Sequence, residues 1–447
     1  MGPEKFILEA LAATATAIGV MVLCIVLRRL LRRRYFRRRE RREREIQRDW
    51  QRILNGEVPA ASWLGNSVDR AIIEDIVIER LDANFTPGGR LQAFARNSGL
   101  VERRLAEVTK ERGWRRQGAM LALGRMRLPE SIPVLKSTLR ERDPQTVIDA
   151  VRSLGYIGTP EAGAAILEAL SAGPIPCPAQ ALQSSLLQCY RSGSSQLLAR
   201  TLEAGGWLRP LLARVLAEAA GPATQGSLAA LVCDSNAEVR AQAARAIVAM
   251  RPSDALASLS KLAGDDEWFV RLRAAIAIGE LQDFHGIPLL IHALTDRNRF
   301  VRLRAAAALV RFQGEEEHVL RLAMHTHDRY AVEALVSELQ RADRISELAH
   351  DLAHPARGPR AKRALLAALE GGSFTMLIDI ALRDPDWRTR KNLARLLAGS
   401  DDGMLLERLK QVQFAALTPR QRRIVFWMAA RLRNPRTVAP AETAMTP

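Results

Sequence analysis

The sequence predicts an all-α protein, an α-solenoid of about nine or ten helix pairs behind one N-terminal transmembrane helix. Three observations carry that expectation. The 447-residue chain is 48% apolar but only 5% aromatic, and its β-branched residues do not gather into alternating runs, so strands have little to build on. A motif recurs without gaps at a period of 31 residues, the signature of a stacked array. Residues 6–27 form an apolar run with one charge, Glu9, and arginines follow it at once.

The apolar run reads FILEALAATATAIGVMVLCIVL, and at about 1.5 Å per residue it reaches roughly 33 Å, enough to cross a hydrocarbon core. A cleaved export signal has basic residues before its apolar stretch and a small-residue cleavage site after it; here an acidic start precedes a basic end. Such a basic cluster resists translocation, so residues 1–5 are expected outside and the rest of the chain in the cytoplasm, anchored in a bacterial-type inner membrane. Arg28, Arg29, Arg32, Arg33, Arg34, Arg37, Arg38 and Arg39 are expected to meet anionic lipid headgroups. Residues 28–54 contain neither Gly nor Pro and continue the helix, with Arg39/Glu43 and Arg41/Glu45 spaced for i,i+4 pairing.

The formal net charge of +17 resembles a nucleic-acid binder's until it is apportioned. Residues 28–52 alone carry +9, which leaves a mild excess on the long remainder. Nucleic acid therefore stays a rival partner, with lipid the first surface the arginines meet. Cys24, Cys177, Cys189 and Cys233 form no CxxC pair and read as reduced core or membrane residues.

Three segments define the repeat: DSNAEVRAQAARAIVAM from Asp234, DDEWFVRLRAAIAIGEL from Asp265 and DRNRFVRLRAAAALVRF from Asp296. Each aspartate precedes a valine by five positions (Val239, Val270, Val301), an arginine follows (Arg240, Arg271, Arg302), and Ala-Ala pairs recur at 243/244, 274/275 and 305/306. These segments resemble the HEAT-repeat family, particularly its short-period branch that includes the phycobilin-lyase-type repeats. The resemblance implies two antiparallel helices per unit, with the Asp-x4-Val-Arg element at the turn into the second. Physics agrees: Asp can cap a helix, Val and Ala form the close-packed stripe, and the Arg can reach an aspartate of the neighbouring unit.

Weaker copies extend the array. Gly124 and Gly155 lie 31 residues apart, followed by Pro129-Glu130 and Pro160-Glu161, and downstream Asp384, Arg390 and Ala394 keep the spacing. The partition is then 55–90 as linker and N-terminal cap, 91–435 as the repeat array and 436–447 as a loose tail. Prolines interrupt the array at 171–180, and again at 350–360 with Pro355, Gly358 and Pro359.

No residues cluster as catalysis requires. His318, His325 and His327 sit near one another, and His350 and His354 are at i,i+4, but a metal needs a third ligand and an organised second shell. No nucleophile elbow, phosphate loop, dinucleotide fingerprint or zinc-protease motif is present. No catalytic residue, metal or cofactor is expected. Trp114, Trp268 and Trp387 stand near the starts of second helices, where packing of one unit on the next is the favoured reading and exposed anchoring of a partner the other. Asp234, Asp265, Asp296, Arg240, Arg271 and Arg302 are read as a structural ladder. Arg273, Arg304, Arg297 and Arg299, with Trp268, are read as a basic stripe; the resemblance implies that second helices line a concave face, where such a stripe suits an acidic peptide or partner helix. The expected function is a membrane-anchored scaffold or adaptor that binds a protein partner at the cytoplasmic membrane face. Its rivals are an accessory subunit or lyase-like enzyme and a membrane-tethered nucleic-acid binder.

Overall fold

The repeated alanines lie where neighbouring helices touch: in the computed structural model Ala243, Ala244, Ala274, Ala275, Ala305 and Ala306 are all buried. Small side chains there let successive helices approach closely. The structure describes residues 3–58, 65–83, 89–400, 403–412 and 417–433, with the side chains of 3–15, 17 and 403 outside that description. Among the described residues every regular element is helical. The chain divides into two units, Met1–Gln196 and Leu197–Pro447.

The first unit begins with α1 (Pro3–Leu54), a single helix of 52 residues. It is followed by α2 (Ser67–Ala83), α3 (Gly89–Asn97), α4 (Leu100–Lys110), α5 (Trp114–Arg125), α6 (Ile132–Thr138), α7 (Pro144–Ile157), α8 (Pro160–Ser171) and α9 (Ala179–Tyr190). The pairs α4/α5, α6/α7 and α8/α9 stack, with α5 on α7 and α7 on α9 in one layer, and α4 on α6 and α6 on α8 in the other. Local chemistry sets the ends. Asp143 and Thr159 cap α7 and α8 by accepting from the Thr146 and Ala162 amides, each just before a proline in the first turn. Gly124 and Gly155 mark the crossing points of the second helices: a Cβ on Gly124 would stand 2.6 Å from Ser153 Cα, and one on Gly155 2.8 Å from Ser185 Cα.

The last turns of α1 belong to this unit. Ile46, Trp50 and Ile53 are buried, the Trp50 ring meets Phe94 edge-on at 5.7 Å, and Arg80 lies over it at 5.2 Å. Arg42 donates to Asp69 of α2 from Nε at 3.1 Å and from Nη2 at 3.0 Å, and Arg39 pairs with Asp75. In place of the expected pairs Arg39/Glu43 and Arg41/Glu45, Arg39 and Arg42 turn to carboxylates of α2, and within the helix Glu45 pairs with Arg42 at 2.9 Å and Asp49 with Arg52 at 3.6 Å. The expected boundary between residues 54 and 55 is displaced with them, since residues 39–54 pack as part of the array's end.

Towards its N-terminus α1 leaves the body: Ile18, Met21, Leu23, Leu27 and Leu31 are all exposed. Among the described residues no helix is long and apolar enough to cross a membrane. Of the expected span 6–27, the side chains of 6–15 and 17 lie outside the described residues, and the apolar stretch that remains ends at Arg28. The expected tail at 436–447 also lies outside them.

The division between the units falls within α10 (Ser194–Glu203). The second unit continues with α11 (Leu208–Ala219), α12 (Ala229–Val232), α13 (Ala237–Met250), α14 (Ala255–Ala263), α15 (Trp268–Leu281), α16 (Ile287–Leu294), α17 (Arg299–Leu309), α18 (Glu316–His325) and α19 (Arg329–Arg341). Second helices α11, α13, α15, α17 and α19 pack in succession, as do first helices α12, α14, α16 and α18. Then come α20 (Arg344–Asp351), α21 (Gly358–Glu370), α22 (Phe374–Arg383), α23 (Trp387–Ala398), α24 (Gly403–Lys410) and α25 (Pro419–Arg433). The order changes after α19, because α21 packs on α18 and α20 instead. Glu316 anchors this rearrangement: it is buried and accepts from Arg344 and from Arg360. A cleft of about 710 Å³, with Val332, Val336 and Phe374 in its wall, opens beside α19. The break coincides with Pro355, Gly358 and Pro359.

Candidate interaction site

Each second helix of the central repeats begins with the same turn. The N-cap is Asn236, Glu267 or Asn298, and the repeated aspartate stands two residues before it, accepting the cap residue's own amide: Asp234 Oδ1 from Asn236 at 2.8 Å, Asp265 Oδ1 from Glu267 at 2.9 Å, Asp296 Oδ1 from Asn298 at 2.7 Å. The aspartate therefore fixes the turn rather than capping the helix. The arginine six residues on closes the turn from the other side, with Nη1 of Arg240, Arg271 and Arg302 donating to the carbonyl of its own aspartate at 2.7–2.8 Å.

Across the repeat boundary the same guanidinium takes the next aspartate in a fork. Arg240 donates to Asp265 at 2.6 and 2.8 Å, and Arg271 to Asp296 at 2.6 and 3.0 Å. Arg209 reaches Asp234 at 2.6 Å. Burial alone would raise the Asp265 and Asp296 carboxyls; the arginine hydrogen bonds and charge outweigh it and hold both below their ordinary value. The arginine and its acid are 25 residues apart, and the same spacing joins Arg116 to Glu141 in the first unit, at 2.5 and 2.7 Å. Arg116, Glu141 and Arg209 were not singled out from sequence, although that spacing would have found them.

Arg302 departs from its expected place in the ladder. It keeps the carbonyl of Asp296, but among the described residues no carboxylate lies within ion-pair distance, and its guanidinium carbon sits 5.9 Å from the Tyr330 ring. In the next turn Thr326 stands where the aspartate would: it precedes the Asp328 cap by two residues, and its Oγ1 accepts the Asp328 amide at 3.2 Å. A hydroxyl satisfies the turn and leaves the arginine without an anion.

The tryptophans are exposed to different degrees, and Trp268 also packs on the following unit. Trp114 is 77% exposed, Trp268 41% and Trp387 39%. Trp268 meets Phe300 of the following helix at 6.0 Å, Arg299 lies over Phe300 at 4.8 Å, and Tyr330 is exposed beyond them. Phe300 and Tyr330 escaped the sequence reading, which weighed tryptophan alone. Arg273 and Arg304 hold equivalent, exposed places on α15 and α17, Arg297 is exposed in the turn before α17, and Arg299 is exposed as its first residue. The stripe is uneven: Arg273 faces Glu238, whose carboxyl lies below its ordinary value because hydrogen bonds from Gln242 and Arg214, with the charge of Arg273, outweigh burial.

No group of three or more His, Cys, Asp or Glu side chains that could hold a metal ion forms among the described residues. Burial pushes the Cys189 thiol up to about 12 and Cys177 up to about 11, so both are held protonated. His350 lies 3.1 Å from Asp384, and His354 accepts from the Ala356 and Arg357 amides.

Helix pairs joined by a recurrent Asp-Arg ladder define a helical-repeat protein. A family model for HEAT repeats matches residues 101–186, 196–278 and 262–340, more than half of the chain, and the chain belongs to that family. None of the curated proteins matches it. Similar solved structures include an engineered protein (18% identity, 83% of this chain and 97% of that one, TM-score 0.31). Another is the CpcE–CpcF complex of phycocyanin lyase from a Nostoc species (16%, 60% and 92%, TM-score 0.23). A third is a Kap95p–RanGDP complex (15%, 85% and 52%, TM-score 0.31).

Proposed function

We propose that this chain is a membrane-anchored HEAT-repeat scaffold that holds a protein partner at the cytoplasmic face of a bacterial inner membrane. The observation that carries the reading is the contrast along α1. Its last turns are buried in the array, whereas Ile18 to Leu31 present large apolar side chains on all sides, a surface that water does not tolerate unpartnered. The exposed arginines that follow suit anionic headgroups and an inward orientation. At the other end of the logic, Trp268, Phe300 and Tyr330 lie among Arg299, Arg302 and Arg304 on successive helices, and aromatic and arginine side chains are those that dominate protein interfaces. The reading takes the chain to act by binding rather than catalysis, with the Cys177 and Cys189 thiols held protonated and His350 and His354 each engaged in its own local contact.

The test is crosslinking and affinity purification of the full-length protein from native membranes, beside the Arg273→Glu/Arg304→Glu double variant. A stoichiometric protein lost in the variant supports the scaffold. Recovery of lipid or nucleic acid alone overturns it. Extraction of the wild-type protein by alkaline carbonate would separately overturn the anchor.

A further inference from the structure

We propose that Arg302 is an open rung of the ladder that receives a carboxylate side chain from the partner protein. The proposal rests on the reading that the array binds protein, and it names the chemistry of what is bound. Arg240 and Arg271 show what this guanidinium is built to hold: with Nη1 on the carbonyl of its own turn, each offers Nε and Nη2 as a fork to one carboxylate. Arg302 makes the same first contact, at 2.8 Å to the Asp296 carbonyl, so its side chain is fixed in the same way. Its fork meets no acid, because Thr326 has replaced the aspartate that the repeat elsewhere supplies.

The surroundings favour an anion with an apolar neighbour. Tyr330, 67% exposed, lies 5.9 Å from the Arg302 guanidinium carbon, Phe300 and Leu303 are exposed on the same helix as the arginine, and Arg299 and Arg304 add positive charge. An Asp or Glu followed by an apolar side chain, in an extended stretch of the partner, satisfies both features. The carboxylate would take the place that Asp265 and Asp296 fill for Arg240 and Arg271.

Two measurements on the full chain in detergent test this. In the first, the peptide rhodamine-Gly-Leu-Asp-Phe-Gly-amide, labelled at its N-terminal amine, and its Asn twin are titrated by fluorescence anisotropy. The Asp peptide is expected to bind at least about tenfold better, and the preference to vanish in Arg302→Gln and in Thr326→Asp, where the rung is filled from within. In the second, Thr326→Asp is expected to raise Tm by about 2–4 °C, with no rise when Arg302→Gln is also present. Equal binding of the two peptides, or a preference that survives Thr326→Asp, overturns the proposal, as does a Tm rise independent of Arg302. The two readings fail separately, since the scaffold is judged by its partner in membranes and the rung by the Asp-to-Asn difference.

Discussion

Arg271 holds Asp296 across a repeat boundary with two hydrogen bonds, at 2.6 and 3.0 Å, while its third donor nitrogen closes the turn that Asp265 begins. One side chain thus fixes both the local turn and the register of the next helix pair. The pair is largely shielded, with 18% of the arginine and 9% of the aspartate side chain exposed, so it escapes most of the screening that makes surface ion pairs weak.

Asp296→Asn is expected to destabilise the second unit by about 1–3 kcal/mol, the range for a charge-assisted bond lost from a shielded site. The same rung sets a pH dependence. The Asp265 and Asp296 carboxyls titrate lower in the folded chain than unfolded, so their contribution is complete above the unfolded value of about 3.9 and is lost as pH falls through the folded one. Urea denaturation should show stability level near neutrality and falling below about pH 4. The fall should be shallower in Arg271→Gln; an unchanged profile there would separate the ladder from acid sensitivity.

Gly124→Ala is expected to cost about 1–3 kcal/mol by overpacking. The new Cβ would stand 2.6 Å from the Ser153 backbone, which cannot swing aside as a flexible side chain can. Comparison of thermal unfolding with Gly118→Ala, where nothing lies within 4 Å, isolates the effect: the control should be neutral or slightly stabilising.

The 31-residue register, the buried alanines and the family were legible because they repeat, and repetition at a fixed period has few physical causes. Arg240 and Arg271 were legible as ladder members for the same reason. Arg302 was misjudged because its own segment keeps the motif, and the decisive change, Thr326 for an aspartate, lies in a copy too diverged to align. The docking of α1 left a readable trace: Ile46, Trp50 and Ile53 are spaced as one helical stripe, a pattern overshadowed by the surrounding arginines. The altered packing of α21 depends on contacts with α18, distant in sequence, and only the prolines before it hinted at a break.

Arg251→Gly is expected to stabilise the chain by about 0.5–1 kcal/mol. Arg251 ends α13 in the left-handed region at φ 50°, as Gln282 ends α15 at φ 54° and Gly158 ends α7 at φ 70°. A side chain pays a steric cost in that conformation that glycine does not. The mirror change, Gly158→Ala, should lose a similar amount, and a melting curve of each variant decides both.

Truncation separates the anchor from the fold. Removal of residues 1–36 takes away the exposed apolar surface and the first five arginines of the cluster but leaves the pairing of Arg39 with Asp75 and of Arg42 with Asp69. That fragment should be soluble without detergent and cooperative in thermal unfolding. Removal of residues 1–54 also strips Ile46, Trp50 and Ile53 from the end of the array, each worth about 1.5–3 kcal/mol of burial. It would leave Phe94 without its Trp50 contact and Asp69 and Asp75 without their α1 arginines, while Glu74 keeps its partner, Arg104, at 2.7 Å. The longer truncation should therefore melt lower and aggregate. Equal solubility and melting of the two fragments would mean that the last turns of α1 are dispensable, and the boundary of the folded body would return to residue 55.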